Sequence, residues 1–176
     1  MADKNNGFQV PYMIERTDDK GLGVFAGKVI KQGSIVWRHV PGQYVVYDEQ
    51  TFRKVIARMS QAEVVYELTH VFGLNEFPGC LIRILDDGVL INHSSNSNLA
   101  TSKFVANYMT PDVTSNLNLH NVTEALRDDR YALVATRDIE RGEELTNDYA
   151  AEVVDPPYYD ELYEQFGVAE DYLDDR

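Results

Sequence analysis

Among 176 residues there is one cysteine, Cys80, and one tryptophan. A single thiol excludes an intrachain disulfide framework and any multi-cysteine zinc cluster built within one chain. Secreted domains more often carry disulfides, so the expected address is intracellular, cytoplasmic or nuclear. Basic side chains are also in short supply, with 16 Lys and Arg against 29 Asp and Glu and a net charge of −13. Such a surface repels phosphate backbones and anionic headgroups, which argues against direct nucleic-acid or membrane partners, and it attracts basic polypeptides. The first 21 residues, MADKNNGFQVPYMIERTDDKG, lack the apolar stretch that a signal peptide or membrane span requires, so a soluble chain is expected. Against these shortages stand 44% hydrophobic and 11% aromatic residues. They suffice for a folded core despite a mean hydropathy of −0.36.

No repeat, low-complexity tract or Pro/Gly/Ser-rich linker divides the chain, which reads as one domain with short tails. Between Gly23 and Val46, β-branched and aromatic residues alternate between turn signals at Gly27, Gly33 and Gly42, predicting successive short strands. Asp48 followed by Phe52, Val55, Ile56 and Met59 predicts a capped helix. Ser60 with Glu63 has the form of a capping box opening a second helix through Val64, Val65 and Leu68. Strands are expected at Cys80–Leu85, Gly88–Ile91, Ser102–Met109 and Arg130–Thr136, with a helical turn near Thr123–Leu126. Asp155-Pro156-Pro157 reads as an N-cap with proline in the first turn of a last helix. Tyr158, Leu162 and Phe166 share a face of that helix and Gly167 stops it. Many short strands with few helices make a β-rich α+β fold.

Three segments carry chemistry-bearing residues. Gly21-Leu22-Gly23-Val24-Phe25-Ala26 satisfies a dinucleotide fingerprint formally, but no buried strand precedes it and no helix follows, so that reading fails. Its glycines instead allow backbone amides to approach a ligand closely. Leu90 to Asn98 is an apolar strand running into uninterrupted Asn, His and Ser, a pattern that also suits a solvated, self-capping loop. His39, His70, His93 and His120 lack the ligand spacing of a metal centre, so no metal is expected. Asp138 to Tyr149 reads as a charged tight turn followed by an exposed strand end.

Taken in order, the three segments resemble the SET-domain family of protein lysine methyltransferases. KGLGVFA with IKQGSIV is similar to the family's opening motif, LINHSSNSN to its Asn-His-Ser segment, and ALVATRDIERGEELTNDY to its closing run, together spanning about Glu15 to Tyr149. The resemblance implies a fold of small curved β-sheets with a knot-like threaded C-terminal segment that meets Asn92-His93. It divides the chain into a tail or first strand over 1–14, the SET domain over 15–150, and a helical segment with an acidic tail over 151–176. It also implies S-adenosyl-L-methionine as cofactor and lysine in a basic protein, such as a histone, as acceptor. Residue by residue, the backbone at Gly21, Leu22 and Gly23 would hold the methionine moiety. Asn92 would bond the cofactor, His93 would contribute backbone contacts to the adenine, and Tyr149 would be catalytic.

Departures from the family pattern have consequences. Ser95 and Ser97 replace a common Cys and Pro. Asn147 stands where Phe or Tyr often controls how many methyl groups are added, and here it is expected to line the substrate channel. No tyrosine lies between Phe77 and Asn92, so the channel tyrosine falls to Tyr108, with Tyr44 and Tyr47 as alternatives. The flanking zinc-binding cysteines are missing, which leaves Tyr158, Tyr159, Tyr163 or Phe166 either to cover the cofactor or to form an ordinary core-facing stripe. A non-catalytic SET-like module that binds basic peptides is the alternative from another class; Asn92, His93 and Tyr149 argue against it.

Overall fold

The first pairing is local. Strand β1 (Tyr12–Arg16) folds back on β2 (Leu22–Ala26) with Tyr12 opposite Ala26 and Arg16 opposite Leu22. The structure, a computed structural model, describes residues 6–102 and 118–168. Next come β3 (Ile35–Trp37) and β4 (Tyr44–Tyr47), then helices α1 (Glu49–Ile56) and α2 (Gln61–His70). Asp48 caps α1 by accepting the Thr51 N–H at 2.7 Å, and Ser60 with Glu63 closes the expected reciprocal box on α2. Phe52 and Ile56 on α1 and Val64 and Leu68 on α2 are the buried positions, spaced one turn apart.

Strands β5 (Val71–Phe72), β6 (Leu81–Ile84), β7 (Asn92–His93) and β8 (Leu99–Thr101) follow, then α3 (Leu119–Leu126), β9 (Leu133–Ala135), β10 (Thr146–Asn147), α4 (Tyr149–Glu152) and α5 (Tyr159–Phe166). The strands form a hairpin β1-β2, a three-stranded sheet β4-β6-β5 and a five-stranded sheet β3-β9-β8-β10-β7. This is the β-rich α+β architecture expected. Among the described residues no helix is long and apolar enough to cross a membrane.

Several boundaries differ from the sequence reading, each for a local reason. Gly88–Ile91 is not a strand: Asp87–Leu90 form a 3-10 turn because the Asp86 carboxylate accepts the Gly88 N–H at 2.8 Å. A side chain bonding its own backbone here overrides the β-propensity of Val89, Leu90 and Ile91. The same carboxylate accepts from Gly7 N and Trp37 Nε1. Asp128 does likewise for Arg130 N, so β9 begins at Leu133 rather than Arg130. A strand that the sequence reading did not place forms at Leu99–Thr101, and residues 103–109 of the strand expected at Ser102–Met109 lie outside the described residues. The turn near Thr123 is a full helix, capped by the Asn118 side chain on Asn121 N–H at 2.9 Å.

The last helix begins at Tyr159, not at the prolines, and Asp155 does not cap it. A proline at 157 disfavours a helical conformation at Pro156, and a turn closed by Tyr159 N–H to Pro156 O at 2.9 Å precedes the helix. Gly167 ends the helix in the left-handed conformation at φ +65°, as expected.

Two apolar cores result. One lies among the sheets and includes Val24, Val36, Trp37, Ile82, Leu99 and Leu145. The other joins α1, α2 and α5 through Phe52, Val64, Leu68, Leu81, Tyr159 and Leu162.

Candidate active site

Strand β10 is only two residues long, yet it lies between β7 and β8 and runs parallel to both. Its register puts Thr146 opposite Asn92 and Asn147 opposite His93. The segment before it pairs with β2, through Ala26 N–H to Glu143 O and Leu145 N–H to Val24 O at 2.9 and 2.7 Å. The three segments singled out in the sequence are therefore in contact. The second half of the closing run is not an exposed strand end: Thr146 and Asn147 are buried.

Side-chain amides make that burial possible. Asn98, 2% exposed, donates from Nδ2 to Glu144 O at 2.7 Å and accepts the Thr146 N–H on Oδ1 at 3.0 Å, satisfying backbone groups of the closing segment. Asn92 Nδ2 donates to Glu144 Oε1 at 2.8 Å and to Leu22 O at 3.2 Å, joining the glycine segment to the closing one. A side chain at Gly23 would crowd this junction. A Cβ there would sit 2.7 Å from Glu144 Oε1 and 3.0 Å from Asn92 Nδ2.

His93 and Tyr149 face one another. The backbone N–H of Tyr149 donates to His93 Nδ1 at 3.1 Å, so that nitrogen is the acceptor. The Tyr149 hydroxyl donates to Ile91 O. Asp148, an apparent general base from its position beside the tyrosine, caps the short helix α4 by accepting from Ala151 N at 3.3 Å. Lys20 Nζ donates to His93 O at 2.7 Å, placing a cation beside the glycine segment and the Asn-His strand. Leu22, 47% exposed, lies at the start of that glycine segment.

Beneath Asn92 and Tyr149 lies a cavity of about 270 Å³ whose walls include Asn147, Glu152, Thr101, His39 and Tyr131. Burial pushes the Tyr131 hydroxyl up to about 12, with nearby Glu76 adding to the effect. Burial pushes His39 down to about 3, and the backbone of Tyr131 opposes this. At the rim of the closing turn, Arg137 beside Glu143 holds that carboxyl down at about 2.

Asn147 lines the cavity. Tyr108 lies outside the described residues. Tyr44 and Tyr47 do not line the cavity: the first donates to Thr123 O at 2.8 Å and the second packs on Phe52 with ring centroids 5.6 Å apart. Tyr131 is the aromatic side chain that sequence reasoning missed, because it falls within a run read as strand. Tyr158, Tyr159 and Tyr163 belong to the helical core and Phe166 packs against it; none of the four lines the cavity. Glu152 carried no sequence signal, being past the last motif. Among the described residues no group of three or more His, Cys, Asp or Glu side chains could hold a metal ion.

The chain is 29% identical over 158 residues to the histone-lysine N-methyltransferase, H3 lysine-9 specific dim-5, of Neurospora crassa, an alignment that covers 81% of this chain and 42% of that protein. This chain thus spans less than half the length of that relative. The solved structure of the Neurospora SET domain protein DIM-5 superposes with a TM-score of 0.51 at 26% identity, covering 81% of this chain and 53% of that one. The methyltransferase domain of human histone-lysine N-methyltransferase SETMAR has the same fold, with a TM-score of 0.51 at 22% identity over 81% of this chain and 45% of its own. The SET domain family model matches residues 21–150, the span that contains all three converging segments, and the chain belongs to the SET-domain family.

Proposed function

We propose that this protein is an S-adenosyl-L-methionine-dependent protein-lysine N-methyltransferase that acts on basic proteins, histones among them, inside the cell. The observation that supports it most is the junction of Asn92-His93 with Tyr149 over a buried cavity. The named activities of the Neurospora and human relatives agree with it. The net charge of −13 favours encounter with a basic polypeptide.

The residues around Gly21–Gly23 suit an amino-acid-bearing cofactor. Lys20 offers a cation to a carboxylate, Leu22 an exposed apolar surface, and Asn92 a side-chain amide. Bound there, the cofactor would supply an electrophilic methyl group on a sulfonium. The acceptor amine must be neutral to attack, and at pH 7 removing its proton costs about 4.6 kcal/mol from a reference pKa of about 10.4. An apolar channel lowers that cost by disfavouring the ammonium. The Tyr149 hydroxyl and the Ile91 carbonyl, joined by a hydrogen bond, orient the amine. Alignment of this kind supplies up to roughly 7–11 kcal/mol in favourable cases. Asn147, smaller than Phe or Tyr, leaves room for an amine that already carries a methyl group, so more than one transfer per lysine is expected. The test is incorporation of labelled methyl into free core histones and intact nucleosomes, read by mass spectrometry; cofactor binding without incorporation would instead mark a peptide-binding module.

A further inference from the structure

The turn that leads into β7 is pinned from outside the cavity. The two oxygens of Asp86 accept three N–H groups, from Gly7 at 2.6 Å, from Gly88 at 2.8 Å and from Trp37 Nε1 at 3.1 Å. Trp37 and Gly88 belong to the cavity wall, whereas Gly7 belongs to the segment that precedes β1. That segment is itself fixed: Gly7 O accepts the Arg38 N–H at 3.0 Å, and Phe8 pairs with Trp37 in an antiparallel bridge. The neighbouring Asp87 accepts the Tyr12 hydroxyl at 2.5 Å and Asn6 Nδ2 at 3.1 Å.

Close packing makes the arrangement at Asp86 specific. A Cβ on Gly7 would lie 2.3 Å from Trp37 Nε1, and one on Gly88 would lie 2.4 Å from the same atom and 2.9 Å from Asp86 Oδ1. Two glycines therefore leave the indole N–H room to reach the carboxyl. From Gly88 a line of hydrogen bonds runs on to Tyr149. Asp86 holds the Gly88 N–H, the Gly88 carbonyl accepts the Ile91 N–H at 3.2 Å, and the Ile91 carbonyl accepts the Tyr149 hydroxyl. Each bond fixes the residue that makes the next.

Resting on the reading of the site as a lysine methyltransferase, we propose that Asp86 is a positioning residue for the transfer, holding Trp37 and the turn Asp87–Leu90 so that the Ile91 carbonyl keeps the Tyr149 hydroxyl in its working orientation. Asp86 does not line the cavity and acts through these neighbours.

The test is a double-mutant cycle on the full chain. Trp37 is the only tryptophan, so its emission reports the contact with Asp86. Asp86→Asn puts an N–H donor where an oxygen accepts. It is expected to shift the Trp37 emission, to lower kcat about tenfold and to change KM less than about twofold, the scale of one lost buried hydrogen-bonding group. In a Tyr149→Phe background the hydroxyl is gone, and the same substitution is expected to lower kcat by about twofold or less, because two changes on one path do not add. A merely structural Asp86 gives the same loss in both backgrounds, and that result overturns the proposal. So does a wild-type kcat or an unaltered Trp37 emission in Asp86→Asn. Should that variant not fold, Gly88→Ala decides: it keeps the carboxyl and drives a Cβ against Trp37 Nε1 and Asp86 Oδ1. An unchanged kcat there, or an equal loss in both backgrounds, overturns the proposal. Absence of methyl transfer by the wild type refutes the enzymatic reading instead, whereas transfer with equal losses in both backgrounds refutes this inference alone.

Discussion

The region around β7, β8 and β10 and the core formed by α1, α2 and α5 are held together by different physics. In the helical core, fully buried Phe52, Val64, Leu68, Leu81 and Tyr159 contribute apolar area, which is non-directional and tolerates small shifts. Around β10, strands of two or three residues carry too few ladder bonds to hold themselves. Asn92, Asn98 and Asn147 tie the segments with side-chain hydrogen bonds of defined direction. Area supplies stability, and directed bonds supply position. The proposed in-line methyl transfer needs the second kind.

Mutation should separate the two. Tyr159→Ala, in the helical core, is expected to cost about 3–5 kcal/mol of stability and to leave the activity of the folded fraction nearly intact. Asn98→Ala should cost only about 1–3 kcal/mol yet lower specific activity sharply, because the closing segment loses its anchor. Denaturant titration with initial rates below both transitions measures each; equal residual activities would erase the distinction.

Tyr149→Phe removes a single hydroxyl from the directed network. We expect kcat to fall by about 10²–10³, with cofactor affinity by calorimetry unchanged, and a wild-type rate would end the assignment of Tyr149 as catalytic. His39 tests the boundary between the two regimes, since it is a buried, neutral polar ring on an apolar wall. Its folded pKa, about 3, lies below its ordinary value, so the unfolded chain binds the extra proton first. Its contribution is whole above about pH 6.5 and is lost as pH falls toward 3, amounting to about 2 kcal/mol between pH 6.5 and 5. His39→Leu should flatten that part of the stability curve, and an unchanged slope would mean that other groups carry it.

Asn92→Ala is expected to weaken cofactor binding about tenfold, the value of one buried hydrogen-bonding group, and equal calorimetric affinity would make Asn92 purely a tie between segments. The smallest change is in product rather than rate. Asn147→Tyr should shift products toward monomethyl-lysine by filling the space beside the amine, and identical product distributions over time by intact-peptide mass spectrometry would show that residue 147 does not control multiplicity.

Local rules read from the sequence hold where the interaction is local. Asp48, the Ser60–Glu63 box and Gly167 behave as their residue types dictate, because each acts within four residues of itself. The motifs at Gly21–Gly23, Asn92-His93 and Tyr149 were legible for a similar reason: residue types and their order survive in the chain itself. Where a side chain bonded its own backbone, at Asp86 and Asp128, propensity gave the wrong element, since one directed bond outweighs a weak β preference.

Other features exist only once the chain has folded. Tyr44 and Tyr47 turn away from the cavity while Tyr131 enters it, a matter of sheet packing that no spacing encodes. Burial of Asn147 depends on β10 slipping between two strands some fifty residues earlier. Glu152 reaches the cavity because a four-residue helix turns it back toward Thr101, so its carboxylate meets a backbone N–H 51 positions away. Sequence order determined the family, since motif residue types and their order reside along the chain. Tertiary structure decided which polar side chains share one cavity, because desolvation and pairing are set by neighbours in space.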